Sequence, residues 1–371
     1  MGKVLDIMQQ ETALAASDAG EFSHGDFGAL APRPTTIEAT GLSHNYLADL
    51  IAKHMLHGGA LTIAELSERV ALAGSVVEEM IMFMRTEARI EVLGASIDIA
   101  ALRYSLTDRG RNFALDALMR SSYSGAAPVP LKHYAEVVRA QSIHARTVTR
   151  DMIEQLFEGM VLDQSVRDQL GLSMNSGRAV FVYGTPGTGK TYITSKLARL
   201  FNDSVLIPHA IAVGDDTIAI FDPIVHKALG DIDDASWMLD QGHDPRYIQC
   251  ERPVIVSGGE LTAEMLDIQY DASSKEYLAP LQLKANNGVF IIDDMGRQRV
   301  PPLTIFNRWI VPMEERTDYL SLGSGKHFSV PFDEVLIFST NMNPVELADE
   351  AFLRRIGYKI EFKHLTDEQY H

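Results

Sequence analysis

The stretch that decides the fold is Ala179-Val180-Phe181-Val182-Tyr183-Gly184-Thr185-Pro186-Gly187-Thr188-Gly189-Lys190-Thr191. The apolar run over 179–183 predicts a β-strand. It leads directly into the pattern G-x-x-x-x-G-K-T and then into a helical pattern over 192–201. The glycines let the backbone curl so that successive N–H groups point inward, and the helix N-terminus adds partial positive charge. The sequence therefore predicts a phosphate-binding loop. The residues expected to contact the bound group are Gly184, Thr185, Pro186, Gly187, Thr188, Gly189, Lys190, Thr191 and Tyr192.

The chemistry of this loop predicts ATP and Mg²⁺ as its ligands. Lys190 can reach the β- and γ-phosphate oxygens, and the hydroxyl of Thr191 can bind Mg²⁺. Further along the chain, the apolar strand 289–292 ends in Asp293-Asp294. Such a pair can be a solvated turn, but ligands of open α/β sheets bind at the carboxyl ends of strands. We therefore expect Asp293 to hold Mg²⁺ through its water shell, and Asp294 to orient or deprotonate the attacking water.

Short β-prone runs alternate with helical patterns through the second half of the chain. This alternation predicts an α/β fold, a P-loop NTPase three-layer αβα core with a mostly parallel sheet. The middle segment, 208–287, has a weaker pattern, and we expect it to contain loops that face a substrate. Its three histidines lack metal-ligand spacing and are interpreted as ordinary surface or core residues. The strands expected in the sheet are 179–183, 205–208, 288–292, 334–340 and 358–362.

The first 154 residues divide into three further regions. Residues 1–40 show no sustained period and are expected to form a flexible tail. Residues 41–120 carry three helical patterns, two β-prone runs and a fourth helix, an order that resembles an α+β winged-helix domain. Residues 121–154 begin with Ser, Gly and Pro and are expected to be a linker and a connecting helix, which leaves 155–371 as the nucleotide-binding core.

Four more segments carry a family resemblance. They are Asp293-Asp294-Met295-Gly296-Arg297, Pro312-Met313-Glu314-Glu315-Arg316, the run from Val335 to Asn341, and Glu350-Ala351-Phe352-Leu353-Arg354-Arg355-Ile356. Together with the phosphate loop, they resemble the AAA+ ATPases, and within these the MoxR-like branch, over residues 155–363. The first two segments are similar to that branch's Asp-Glu-Ile-Asn-Arg and Met-Glu-Glu-Arg motifs.

The resemblance implies roles for three further residues and for one segment. Asn341 corresponds to the sensor 1 residue, which contacts the γ-phosphate or the attacking water. Arg355, or else Arg354, corresponds to an arginine finger that completes the site of a neighbouring subunit, although an arginine pair at an exposed helix end is an ordinary feature. The segment 157–162 matches the position of the family's adenine-contacting segment. The family also implies a homo-oligomer, a hexameric ring.

The chain departs from the family pattern in two respects. Asp294 replaces the usual glutamate and is one methylene shorter, so we expect the water to sit closer or hydrolysis to be slow. AAA+ modules continue into a helical lid with a sensor 2 arginine, whereas this sequence stops at His371. We therefore expect a lid that is truncated or missing, and nucleotide that is held less tightly.

Composition narrows the class of protein and its partners. The 371 residues contain one cysteine, Cys250, and no apolar run long enough to span a membrane, so we expect a cytoplasmic protein without membrane contact. The net charge of −17 disfavours broad binding to DNA. Three functions stay open: an ATP-driven motor or chaperone-like machine that acts on a protein client, an ATP-dependent DNA-binding regulator that uses Arg103, Arg109 and Arg111, and a nucleotide-sensing switch with little turnover.

Overall fold

The computed structural model describes residues 27–93, 102–230 and 242–364. Most of the expected tail, residues 1–26, lies outside these ranges. The rest of it is structured, because α1 (Phe27–Leu30) and α2 (Ile37–Thr40) form short helices and Ala31 and Ile37 are buried. Among the described helices, none combines the length and the apolar character that a membrane span requires.

Residues 41–120 form a helical unit with one hairpin. Side-chain caps define its helices: Ser43 accepts from the N–H of Tyr46, and Thr62 and Glu65 form a capping box. The buried faces of these helices share one apolar core with Ala210 and Ala212, so the unit packs against the middle segment. Its elements are α3 (His44–Gly58), α4 (Ile63–Val70), α5 (Gly74–Thr86), β1 (Ile90–Leu93), β2 (Arg103–Leu106) and α6 (Asp108–Arg120).

The expected linker is not a free connection. Ala127 and Val129 are fully buried, and β3 (Val129–Pro130) joins a sheet. The prediction from composition is wrong here because small and proline residues also suit close packing and edge strands. The connecting helix, α7 (Leu131–Ala140), follows directly. The core that was expected to begin at residue 155 begins earlier, because Ile143 and Ile153 are buried among its apolar residues.

The middle segment contributes two small sheets rather than mainly loops. The strand β3 pairs in parallel with β6 (Ala210–Val213). Both belong to a five-stranded sheet in which some neighbouring strands are parallel and others antiparallel. Its apolar face packs into a core with Val205, Ile248 and Leu320. The strands of the two small sheets, besides β3, are β5 (Ser204–Pro208), β6 (Ala210–Val213), β7 (Asp216–Ala219), β8 (Tyr247–Glu251), β10 (Gln269–Asp271) and β11 (Glu276–Leu278). The segment also contains β9 (Val254–Ser257), which belongs to the parallel sheet of the core.

The core of the chain is a five-stranded parallel sheet covered on both faces. Successive residues of its strands point to opposite sides: Val180 and Val182 face the helices α8 (Arg150–Leu156), α9 (Gln164–Asn175) and α10 (Lys190–Leu197), whereas Phe181 faces the helix α12 (Pro302–Glu315). This α/β arrangement is consistent with a P-loop NTPase core. The remaining elements are β4 (Val180–Gly184), α11 (Leu281–Lys284), β12 (Val289–Ile292), α12 (Pro302–Glu315), β13 (Thr317–Ser321), β14 (His327–Pro331), β15 (Val335–Thr340), α13 (Pro344–Leu347), α14 (Glu350–Leu353) and β16 (Tyr358–Phe362).

The prediction is wrong for one of the five strands expected in this sheet, the run 205–208. The spatial order is β16-β4-β15-β12-β9, so the strand beside β12 is β9, which the sequence pattern did not single out. The run 205–208 is a strand, but β5 pairs antiparallel with β8 in a separate ribbon. A short apolar run predicts a buried strand without identifying its partner, which explains the error.

Candidate phosphate-binding site

The loop between β4 and α10 adopts backbone angles that glycine tolerates and other residues disfavour. Gly187 and Gly189 have φ angles of 83° and 81°, in the left-handed region that side chains disfavour. Gly184 lies so close to β16 that an added Cβ would overlap the carbonyl oxygen of Phe362. The chain then enters α10 at Lys190, and the first amides of that helix border the loop.

Lys190 is held inside the loop. Its side chain is 7% exposed, and its ammonium donates to the carbonyl oxygens of Gly184 and Thr185 at 2.9 Å each. Burial lowers the pKa of Lys190, and the carboxylates of Asp293 and Asp294 oppose this effect because they favour the charged ammonium. The cation is therefore already placed at the loop, where it can exchange carbonyl partners for phosphate oxygens.

The two aspartates of the predicted site lie opposite the loop. Thr191 Oγ1 donates to Asp293 Oδ2 at 2.8 Å, which connects the start of α10 to the end of β12. Asn341 follows β15, the neighbouring strand, and its Nδ2 donates to Asp294 Oδ1 at 3.2 Å. The parallel register brings the ends of β4, β12 and β15 to one edge of the sheet, and the predicted residues meet there.

These residues line a pocket of about 350 Å³ that adjoins a larger one of about 610 Å³. The two pockets share Gly187, Gly189 and Tyr192, so a single elongated ligand can occupy both. The smaller pocket is lined by Pro186, Gly187, Gly189, Lys190, Thr191, Tyr192, Asp293, Asp294, Ser339 and Asn341. Met160, Val161 and Leu162, from the segment matched to the adenine contact, line the larger pocket.

The donor set of the smaller pocket fits Mg²⁺. A hydroxyl oxygen and a carboxylate oxygen stand side by side at Thr191 and Asp293. Mg²⁺ prefers oxygen ligands, keeps several waters, and is usually held by one or two carboxylates together with substrate phosphates. Among the described residues, no group of three or more His, Cys, Asp and Glu side chains forms a metal cluster.

Arg354 and Arg355 are not part of this pocket. Both line a separate pocket of about 350 Å³ together with Ala179, which precedes β4 and so marks the opposite edge of the sheet. Arg354 pairs with Glu350 at 2.5 Å, and Arg355 Nε lies 2.9 Å from Glu314 Oε1. Neither arginine is positioned to reach the phosphate loop of its own chain.

Sequence reasoning missed several residues around the site. Lys359 and Glu361, within β16, and His364, just after it, line the larger pocket. Because β16 is the strand next to β4, the rule that ligands bind at carboxyl ends of strands could have identified His364 once the strand order was known. Gln298 contacts the backbone of both aspartates, and no motif indicated it.

Comparison with known proteins finds only distant structural similarity, over part of the chain. No protein-family model matches the chain, and no curated protein matches it. Among solved structures, NtrX from Brucella abortus is 13% identical with a TM-score of 0.34, over 57% of this chain and 38% of that one. A chain of the magnesium chelatase complex of BchI and BchD is 16% identical with a TM-score of 0.36, and the match covers 61% of this chain and 62% of that one. A candidate ATPase from Cytophaga hutchinsonii is 14% identical with a TM-score of 0.31, over 60% and 53%. The chain thus matches less than two thirds of the length of each of these proteins.

Proposed function

We propose that this chain binds ATP with Mg²⁺ and hydrolyses its terminal phosphoanhydride bond, as an ATPase of the AAA+ type. One observation carries the proposal. Lys190 and Thr191, from the phosphate loop, line the same pocket as Asp293, Asp294 and Asn341, which come from two other strand ends. A glycine-rich turn without function has no reason to face two carboxylates and an amide across an open pocket.

The geometry supports a division of roles. The loop amides and Lys190 would bind the β- and γ-phosphates, while Thr191 and Asp293 would hold Mg²⁺, which supplies charge neutralisation at the phosphates. Asp294 would accept a proton from water as the water oxygen bonds to the γ-phosphorus and the bond to the bridging oxygen breaks. Asn341, which already donates a hydrogen bond to Asp294, would orient that carboxylate and the water.

The position of Arg355 supports action between subunits. Because Arg354 and Arg355 lie at the opposite edge of the sheet from Lys190, neither guanidinium would serve the phosphates of its own chain, and each would act on those of a second copy. We propose a homo-oligomeric ring, hexameric by resemblance to the family. The decisive experiment is ATP turnover per subunit measured against protein concentration. A site shared between subunits should show a concentration threshold, whereas a flat profile would reject the shared site.

We propose that residues 41–120 form a winged-helix module that docks a protein client. The outward face of α5 presents an exposed Met82 together with Glu78 and Glu79, whose carboxylates would repel phosphates. Of the three arginines that the DNA-binding alternative would use, Arg103 already donates to the carbonyl oxygen of Ala60 and to Glu65, and Arg109 and Arg111 lie on α6. A mobility shift with random duplex DNA at low salt tests this choice, since salt-sensitive binding at micromolar protein would favour the DNA-binding regulator.

A nucleotide-sensing switch is the other candidate, and the short Asp294 side chain favours it. Turnover of the unmodified chain and of Asp294→Glu separates the two functions. Rapid phosphate release by the unmodified chain would eliminate the switch. Tight ATP binding without turnover, combined with a faster Asp294→Glu variant, would support it.

A further inference from the structure

Two backbone turns meet beside the phosphate pocket. One follows β9 at Ser257-Gly258, and the other follows β12 at Asp293-Asp294. The N–H of Asp293 donates to the carbonyl oxygen of Ser257 at 2.8 Å, which joins them at their first residues. The turn after β12 carries both carboxylates of the proposed site, so its conformation decides where they point.

This turn has an unusual backbone. Asp294 has a φ of 49°, in the left-handed region, where aspartate is tolerated more readily than most residues but is still disfavoured. Gly296 has a φ of 102°, and an added Cβ there would lie 3.0 Å from both Leu347 and Met342. A conformation of this kind persists only where surrounding contacts hold it.

One side chain supplies four of those contacts. Gln298 Oε1 accepts from the N–H of Gly296 at 2.8 Å. Its Nε2 lies within donating distance of three carbonyl oxygens, those of Gly258 and Asp293 at 3.2 Å and that of Asp294 at 3.3 Å. The carboxamide orientation follows from these partners, because only the nitrogen can donate to carbonyls and only the oxygen can accept from an N–H.

The opposite side of the turn is held by β15. The N–H of Met295 donates to the carbonyl oxygen of Ser339 at 2.8 Å, and the hydroxyl of Thr340 donates to the carbonyl oxygen of Met295 at 2.7 Å. Gln298 therefore completes a frame around the two aspartates from the side of β9. Without it, the carbonyl groups of Asp293 and Asp294 lose their contacts with the carboxamide, and the turn is held less firmly from the side of β9.

We infer that Gln298 is a positioning residue for Asp294, which aims the carboxylate at the attacking water, and this inference rests on the proposed ATPase function. Gln298 is not in the lining of the phosphate pocket and would touch neither phosphate nor metal. Its loss should therefore affect the chemical step more than ATP binding. A residue that only stabilises the fold would lower both together.

The test compares Gln298→Leu and Gln298→Glu with the unmodified chain. Gln298→Leu keeps the approximate volume and removes all four hydrogen bonds. We expect its kcat to fall about 10- to 100-fold while the dissociation constant for a non-hydrolysable ATP analogue changes by less than about threefold. Gln298→Glu keeps the acceptor for Gly296 but adds a negative charge beside Asp294. Because a carboxylate cannot donate to the carbonyl oxygens of Asp293 and Asp294, kcat should fall as in Gln298→Leu.

Gln249→Leu is the matched control, because it also removes a carboxamide hydrogen bond, to Ser204 at 2.9 Å in the ribbon of β5 and β8. It should leave kcat and the dissociation constant for the analogue unchanged. Unchanged kcat in Gln298→Leu, or a loss matched by equal weakening of analogue binding, would overturn the inference and leave the ATPase proposal standing. If the unmodified chain fails to bind the analogue, the ATPase proposal itself fails and the inference falls with it.

Discussion

Replacing Lys190 by alanine should weaken ATP binding by an amount that the loop geometry sets. In the structure, the ammonium is satisfied by the carbonyl oxygens of Gly184 and Thr185 at 2.9 Å and is also 3.4 Å from Thr188 Oγ1. Binding exchanges these neutral acceptors for charged phosphate oxygens. A hydrogen bond to a charged group contributes about 1.5 to 3 kcal/mol, so the dissociation constant should rise about 10- to 150-fold.

The assay is calorimetric titration with a non-hydrolysable ATP analogue in the presence of Mg²⁺. Lys326→Ala is the matched control, since Lys326 also donates to a backbone carbonyl, that of Val213 at 2.8 Å, and its loss changes the net charge equally. AMP is the second control, because it lacks the phosphates that Lys190 would contact. Lys326→Ala should bind the ATP analogue, and Lys190→Ala should bind AMP, each within about twofold of the affinity of the unmodified chain for the same ligand. An ATP-analogue affinity in Lys190→Ala equal to that of Lys326→Ala would refute the reasoning that the loop is an anion site.

Three further predictions concern the metal, the subunit contact and stability. Asp293→Asn should raise the Mg²⁺ concentration required for half-maximal turnover about 10-fold or more, because one oxygen ligand of the metal shell loses its charge; an unchanged Mg²⁺ titration would contradict the assignment. Arg355→Ala should reduce turnover about 1,000-fold and spare ATP binding, and mixing it with Asp294→Ala should restore activity; Glu314→Gln, which breaks the same ion pair, should stay active, and failure of the two inactive variants to complement would argue against a shared site. Burial lowers the pKa of Lys53 from 10.5 to about 8, so between these values the unfolded chain keeps a proton that the folded chain has lost, and folded stability rises with pH. Lys53→Met should therefore be most stabilising below about pH 8, and its advantage in urea unfolding should shrink toward about pH 10; a difference independent of pH would contradict the buried cation.

The sequence alone predicted the phosphate loop and its surroundings because the signals are local. A strand, a glycine-rich turn and a helix N-terminus follow one another within 179–201, so no distant partner is needed to recognise them. The positions of Asp293 and Asn341 were also predictable, because parallel strands place their carboxyl ends at one edge of the sheet. The helices of residues 41–120 were readable from apolar periodicity and from caps such as Ser43 and Thr62.

Only the tertiary structure decided which distant segments meet. An apolar run specifies burial without specifying a neighbour, and so the sequence placed 205–208 in the core sheet, where the fold uses Val254–Ser257. The burial of Val129 likewise depends on a sheet whose other strands lie more than eighty residues further along the chain, and Ala127 is buried against the helices of residues 41–120. Gln298 acquires its role because the ends of β9 and β12 are brought side by side, and the separation of Arg355 from Lys190 follows from the two edges of that same sheet. These features depend on contacts between residues far apart in the chain, and such contacts leave no periodic or compositional signal in the segments that make them.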